Sequence, residues 1–313
     1  MIASTNGPEQ LAVRERLTLV CEICRRVLEE GPFPQVTSRL GQYAEPAAAF
    51  EFLSHVTMHV GGEALSALCS VDSIERKEAE VERALLMLAS IHAAGQVHAL
   101  PVSDRVKQLF ADEFEFFAKP TPVWLPHFRF DDVRFREMAR IATLRRFPAG
   151  QFHWEIAGFP RSWITRTPLA FALLRHALLK MGGFSPLFEL HLNERRKNRN
   201  VLLQKEGEIS FYRAAQSMET QPAVKGVMLA AWLYGKSTAE VSPHLAWLRN
   251  VPVSGGALAF DLGPAPEDAG FLVGSQERRK KYEDGSYRPR MGCILWPRNE
   301  LIAWANQHRE FDE

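Results

Sequence analysis

Gln151-Phe152-His153-Trp154-Glu155-Ile156 alternates polar and apolar residues one by one. Side chains along a strand point to opposite faces in turn. The run therefore predicts a β-strand with Phe152, Trp154 and Ile156 on one face and Gln151, His153 and Glu155 on the other. It lies just past Pro148, where helical signals give way to strand signals, and it divides the chain into a helical region at 1–147 and a strand-bearing region at 148–313.

Upstream, Leu17, Val20, Cys21, Cys24, Val27 and Leu28 recur at helical spacing on one face, and Gly31-Pro32 ends the helix. That face reads Cys21 and Cys24 as core thiols. Cys69 and Cys293 stand alone, so the four cysteines make neither a disulfide framework nor a four-ligand zinc site. An apolar segment from Pro46 to Ser70 has a break at Gly61-Gly62, and His55 and His59 within it read as a half-buried helix face. Asp72 and Glu75 have the spacing of a capping box for a helix ending near Gly95. Ser103 and Asp131 or Asp132 start two more, and Pro148 stops the last.

Downstream, Thr167-Pro168, Ser185-Pro186 and Ser242-Pro243 each set a capping hydroxyl before a proline, the pattern of a helix start. Gly182-Gly183 ends the first of these helices and Asn250, ahead of Val251-Pro252, the third. Strands are predicted at Gln151–Ile156, Ala257–Leu262, Gly270–Val273 and Met291–Trp296, while Val224–Tyr234 reads as strand or helix. The predicted fold is α+β: a mainly helical N-terminal half packed against a C-terminal half with a small mixed or antiparallel sheet and several helices.

Composition narrows the function. The 313 residues are 46% hydrophobic and 24% charged, and 38 Lys+Arg nearly balance 37 Asp+Glu. Such a charge gives no global field toward nucleic acid or an anionic membrane, so anion binding has to be local. The start, MIASTNGPEQ, lacks the features of a secretory signal, and no apolar run approaches the roughly 18 residues of a spanning helix. The expectation is a soluble cytoplasmic protein.

His153 and Glu155 stand side by side on the polar face, which suits proton transfer, with Glu155 raising the basicity of His153. Both could instead donate to one metal ion, since His-x-Glu with a distant His outlines a two-His, one-carboxylate iron site. The third-ligand candidates His191 and His244 fall in predicted helices, so no stoichiometric metal is expected. His244, just inside a helix start, is expected to be neutral and able to accept a proton. Arg161, Ser162 and Trp163 follow the turn after the strand and bring a guanidinium, a hydroxyl and an indole near its end.

Two basic clusters break the balance, Arg195, Arg196, Lys197 and Arg199, and then Arg278, Arg279, Lys280 and Lys281. Tyr282, Tyr287, Arg288, Arg290, Trp296 and Arg298 follow the second. Interleaved guanidinium and aromatic groups fit an oxyanion with a flat part, or a nucleic-acid groove. Ser275 is expected to cap a short helix there. No Gly-x-Ser-x-Gly elbow, Gly-x-Gly-x-x-Gly or phosphate-binding Walker loop is present.

Three classes stay open at this level. The first is an acid/base enzyme on a small anionic substrate, with His153, Glu155 and His244 as proton carriers. Its substrate grips would be Arg161, Ser162, Trp163, Arg278, Arg279, Tyr282 and Arg298. The others are a nucleic-acid binder using the basic clusters and a non-catalytic interaction protein.

Overall fold

The computed structural model describes residues 8–31, 74–120, 133–193, 202–266, 269–272 and 275–312. The chain is α+β and divides into two compact units, Met1–Leu100 with Asp104–Pro148 and Pro101–Ser103 with Ala149–Glu313. The apolar segment at 46–70 with His55, His59 and Cys69, the caps at Asp72 and Asp131 or Asp132, and the Arg195–Arg199 cluster lie outside the described residues.

The first unit holds helices α1 (Pro8–Glu30), α2 (Ile74–Val97), α3 (Asp104–Phe117) and α4 (Val133–Ala142), then a short strand β1 (Arg146–Pro148). Its α1 stripe is the predicted one: Leu17, Val20, Cys21, Cys24 and Leu28 are buried, and α1 packs on α2 and α3. Burial pushes the Cys24 thiol up to about 12, so it stays protonated and unreactive. Phe110 and Phe147 meet edge to face at 6.0 Å. The last helix stops at Ala142, earlier than Pro148 suggests, because Leu144 takes a left-handed φ of 59° and the chain then extends into β1.

The second unit runs β2 (Phe152–Ala157), α5 (Arg161–Ile164), α6 (Ala170–His176) with a π turn at Ala177–Met181, β3 (Leu187–Leu192), α7 (Gln204–Glu219) and β4 (Gly226–Ala231). Then come α8 (Lys236–Val241), α9 (Trp247–Ser254), β5 (Leu258–Pro264), α10 (Gln276–Glu283), β6 (Arg290–Pro297) and α11 (Arg298–Asn306). Its strands lie in the order β2-β3-β4-β6-β5. Every pairing among them is antiparallel except β3 with β4, the two joined through α7.

Three local expectations change here. Ser185-Pro186 opens a strand rather than a helix: Leu187–Leu192 alternates and is hydrogen-bonded on both sides, to β2 and to β4. Asn250 does not end its helix, for α9 carries Pro252 inside and runs to Ser254. The described part of 270–273 is turn, not strand. Val224–Tyr234 resolves into β4 followed by a 3-10 turn at Trp232–Tyr234.

The sheet buries both faces. On one, Phe211 of α7 stacks on Phe152 at 5.2 Å and meets Trp296 at 5.6 Å. Gly207 lets the Trp247 indole lie against α7, since a Cβ there would stand 2.1 Å from Trp247 Cη2. On the other face Leu187, Met228, Cys293, Leu295 and Phe260 pack under Phe159, Leu173 and Met181. Gly182, left-handed at φ 69°, ends that cover as the sequence predicts.

His176, on the same cover, is held near the Leu295 backbone, and burial lowers its pKa. The folded chain therefore resists a proton that the unfolded chain accepts below about pH 6.5. Stability is expected to be full above that pH and to fall as pH drops from there toward the folded value. Urea melts between pH 7.5 and 5 check this, and His176→Gln should flatten the trend.

Candidate functional site

Strand pairing brings four ionisable side chains to one face. In the β2–β3 register His153 lies opposite His191 and Glu155 opposite Glu189, and directly paired residues point to the same side of a sheet. The diagonal is closed by a contact of 3.1 Å between His191 Nε2 and Glu155 Oε1. Both side chains are partly buried, at 26% and 18% exposure, so the interaction is shielded without being sealed from water. Glu155, Glu189 and His191 offer one donor atom each, all within 4.8 Å of one another. Burial, and after it the Glu189 charge, holds the Cys293 thiol well above its ordinary range.

The cluster is positioned by a hydrogen-bonded frame around the carboxyl end of β3. Asn193 N donates to Gln151 O (2.9 Å) and Asn193 Nδ2 to Gly150 O (3.2 Å). The Gln151 side chain accepts from Leu203 N at the start of α7 (3.2 Å), while Ser210 Oγ of α7 accepts from Gln151 N (3.0 Å). Arg213 adds a bond to Ala149 O (2.8 Å). The ends of β2 and β3 and the first turns of α7 are thus tied together, so the four side chains sit on a stiff support.

A gap opens beside them. The β3–β4 ladder covers only Phe188 with Val227, Glu189 with Met228 and Leu190 with Leu229. Beyond that point β3 continues on β2 through His191 and Leu192, and β4 continues on β6 through Ala230 and Ala231. The two parallel strands part at their carboxyl ends, and His191 is the first β3 residue past the last shared pair.

The sequence-named residues distribute unevenly. His153 and Glu155 share the cluster, but His153 is only 3% exposed, whereas Ile156 on the expected core face is 52% exposed. The polar face is therefore not the wet one at His153. His244 is exposed on a 3-10 turn, Pro243–Leu245, rather than in an α-helix. Arg161 and Ser162 are exposed on α5, and Trp163 meets Phe159 edge to face at 5.7 Å, closing the apolar cover.

Arg278 of the second basic cluster serves the fold, as do Tyr282 and Arg298 beyond it. Arg278 is buried over the Trp232 ring at 4.7 Å, donating to Ser242 Oγ (3.0 Å) and to Phe271 O. Ser275 Oγ caps its helix by accepting from Arg278 N, as predicted. Tyr282 packs on Phe271 at 5.1 Å and lies under Arg288. Arg298 donates to Gln221 O (2.9 Å) and to Met218 O, closing the carbonyl end of α7. Arg279 and Lys280 are exposed on the same helix, as are Arg288 and Arg290 beyond it. Glu189 and His191 were the residues to gain: the two-residue rhythm Leu187-Phe188-Glu189-Leu190-His191-Leu192 is the signal that carries them.

The sequence matches no protein-family profile and no curated protein. No described helix is long and apolar enough to cross a membrane. Similar solved structures include an acyltransferase in complex with CoA and 10C-teicoplanin, 14% identical, with 93% of this chain and 88% of that one covered at a TM-score of 0.47. A mutant acyltransferase in complex with octanoyl-CoA is 14% identical over the same shares at 0.48, and an acyltransferase in complex with decanoyl-CoA is 12% identical, over 88% and 99%, at 0.44.

Proposed function

We propose that the protein is an enzyme that acts on a small anionic molecule lodged where β3 and β4 part, with Glu155, Glu189 and His191 moving the proton. One observation carries the reading: three ionisable side chains within 4.8 Å of one another stand beside the carboxyl ends of the parallel strand pair. Sheets with parallel strands offer ligands their open crevices at those ends. Strand edges that part also present backbone groups that an extended, amide-bearing ligand can pair with. Arg195, Arg196, Lys197 and Arg199 follow β3 in the sequence as a local run of positive charge. Arg279, exposed on α10, is a further grip on this reading, whereas Arg161 follows the end of β2 that pairs with the start of β3 and so stands at the other end of the strand pair.

Acyl transfer fits this machinery. One group of the cluster takes a proton from an attacking amine or hydroxyl as its lone pair forms the bond to the acyl carbon, and the proton is returned to the departing thiolate. The products are an amide or ester and a free thiol. An acyl-coenzyme A, the kind of ligand in the acyltransferase complexes above, is a polyanion with amides along its arm. His153, buried against the same array, acts as a positioning group. Arg278 and Arg298 are engaged by internal carbonyls and a hydroxyl, which weighs against a nucleic-acid groove built from them.

Calorimetric titration with acetyl-, octanoyl- and decanoyl-coenzyme A, followed by thiol release in the presence of a panel of amines and alcohols, tests the reading. Saturable micromolar binding and acceptor-dependent thiol release are expected. No binding of any thioester and no release with any acceptor would remove it.

A further inference from the structure

The same cluster has the composition of a metal site, and β3 provides what the sequence lacked. The reading of β2 alone stops for want of a third ligand beside His153 and Glu155. Strand β3 adds two candidates, Glu189 and His191, on the correct face. Three donors then belong to two hydrogen-bonded strands, and such a support holds ligands more firmly than loops do.

We propose that Glu155, Glu189 and His191 bind one divalent first-row transition ion, an inference that rests on this cluster being the working centre of the protein and that gives the three side chains the role of ligands in place of proton carriers. The distances allow it. Ligands roughly 2.1 Å from a tetrahedral ion stand about 3.4 Å apart. The observed Nε2–Oε1 separation is 3.1 Å and no donor pair exceeds 4.8 Å, so side-chain rotation closes the set.

Charge argues in the same direction. Glu155 and Glu189 face each other in register, where like charges repel, and both are partly shielded from water. A dication among the three donors offsets that repulsion and is bound more tightly for the partial burial. Carboxylate with imidazole selects zinc, manganese or iron over magnesium, which prefers oxygen ligands and retains its waters. Three protein ligands leave a coordination position for water or for a substrate carbonyl, the arrangement of a catalytic rather than a structural ion.

The test uses the full chain, stripped with a chelator and titrated calorimetrically with zinc, manganese and magnesium chlorides. One zinc per chain is expected, bound at least about tenfold more tightly than magnesium. Glu155→Gln and Glu189→Gln keep side-chain shape and should each weaken zinc by about tenfold or more, as should His191→Ala, with thermal melts confirming that the variants fold. Manganese binding read by electron paramagnetic resonance should be lost in the same variants. Zinc binding that survives all three substitutions, or no saturable binding below millimolar, overturns the proposal. Acyl-coenzyme A binding and thiol release by the stripped chain separate the two ideas. Full turnover without metal sinks the ion and keeps the enzyme, while stoichiometric zinc without turnover on any donor does the reverse.

Discussion

Trp154→Ala is expected to lower folding stability by about 3–5 kcal/mol, the largest loss for any single substitution on β2. The indole is fully buried and stacks on Phe188 of the neighbouring strand with ring centroids 5.3 Å apart. Removing it opens a void in a close-packed face whose backbone is fixed by the β2–β3 ladder and cannot collapse to fill it. A domain with about 5–15 kcal/mol of stability would lose a large share of it. His153→Ala is the comparison. An alternating strand with one wet face predicts a loss no larger than roughly 1 kcal/mol, but at 3% exposure the imidazole is a buried hydrogen-bonding group, and about 1–3 kcal/mol is expected instead. Urea melts of the two variants decide. If His153→Ala costs as much as Trp154→Ala, its role is structural and the positioning role proposed for it falls.

How much of this was legible depended on whether the deciding forces were local. The α1 stripe from Leu17 to Leu28, the Gly182 helix stop and the Ser275 cap all follow from residues within a few positions of one another, and all stand in the structure. Strand β3 was hidden because Ser185-Pro186 resembles a helix start, and six residues of local propensity are outweighed by ladders to β2 and β4. That one reversal carried the site with it. Placed on a helix, His191 could not join His153 and Glu155; placed on a strand, it lies opposite one and touches the other.

The basic clusters show a second limit. A guanidinium that grips a ligand and one that closes a helix end look the same in sequence. The carbonyls that engage Arg298 belong to Met218 and Gln221, and the hydroxyl that engages Arg278 belongs to Ser242. None is near in the chain. Pro252 taught the converse, since a residue read as a stop sits inside α9 where neighbouring contacts hold the turn.

Substitutions in the carboxylate–imidazole cluster are expected to separate activity from stability. Glu155→Gln and His191→Ala should each reduce turnover by about 10²–10⁴-fold, the contribution usual for a positioned acid or base, while unfolding midpoints change little. The reasoning is steric as well as electrostatic. Glutamine keeps the volume and one acceptor of the glutamate, so the 3.1 Å contact to His191 survives in some form, but it can neither take up a proton nor sustain the charge that orients the imidazole. His191 lies at the point where β3 leaves β4, so its truncation removes a group from the mouth of the gap rather than from packed core. Glu189→Gln tests whether the directly opposed carboxylate serves the chemistry or only the charge balance. In the first case it matches Glu155→Gln in turnover, and in the second it leaves turnover within about tenfold while relieving repulsion across the strand pair. Steady-state rates with the best donor from the thioester screen, measured beside thermal melts, give both readouts. Retained turnover in both Glu155→Gln and His191→Ala would mean that the face where the two strands meet is not where the reaction occurs.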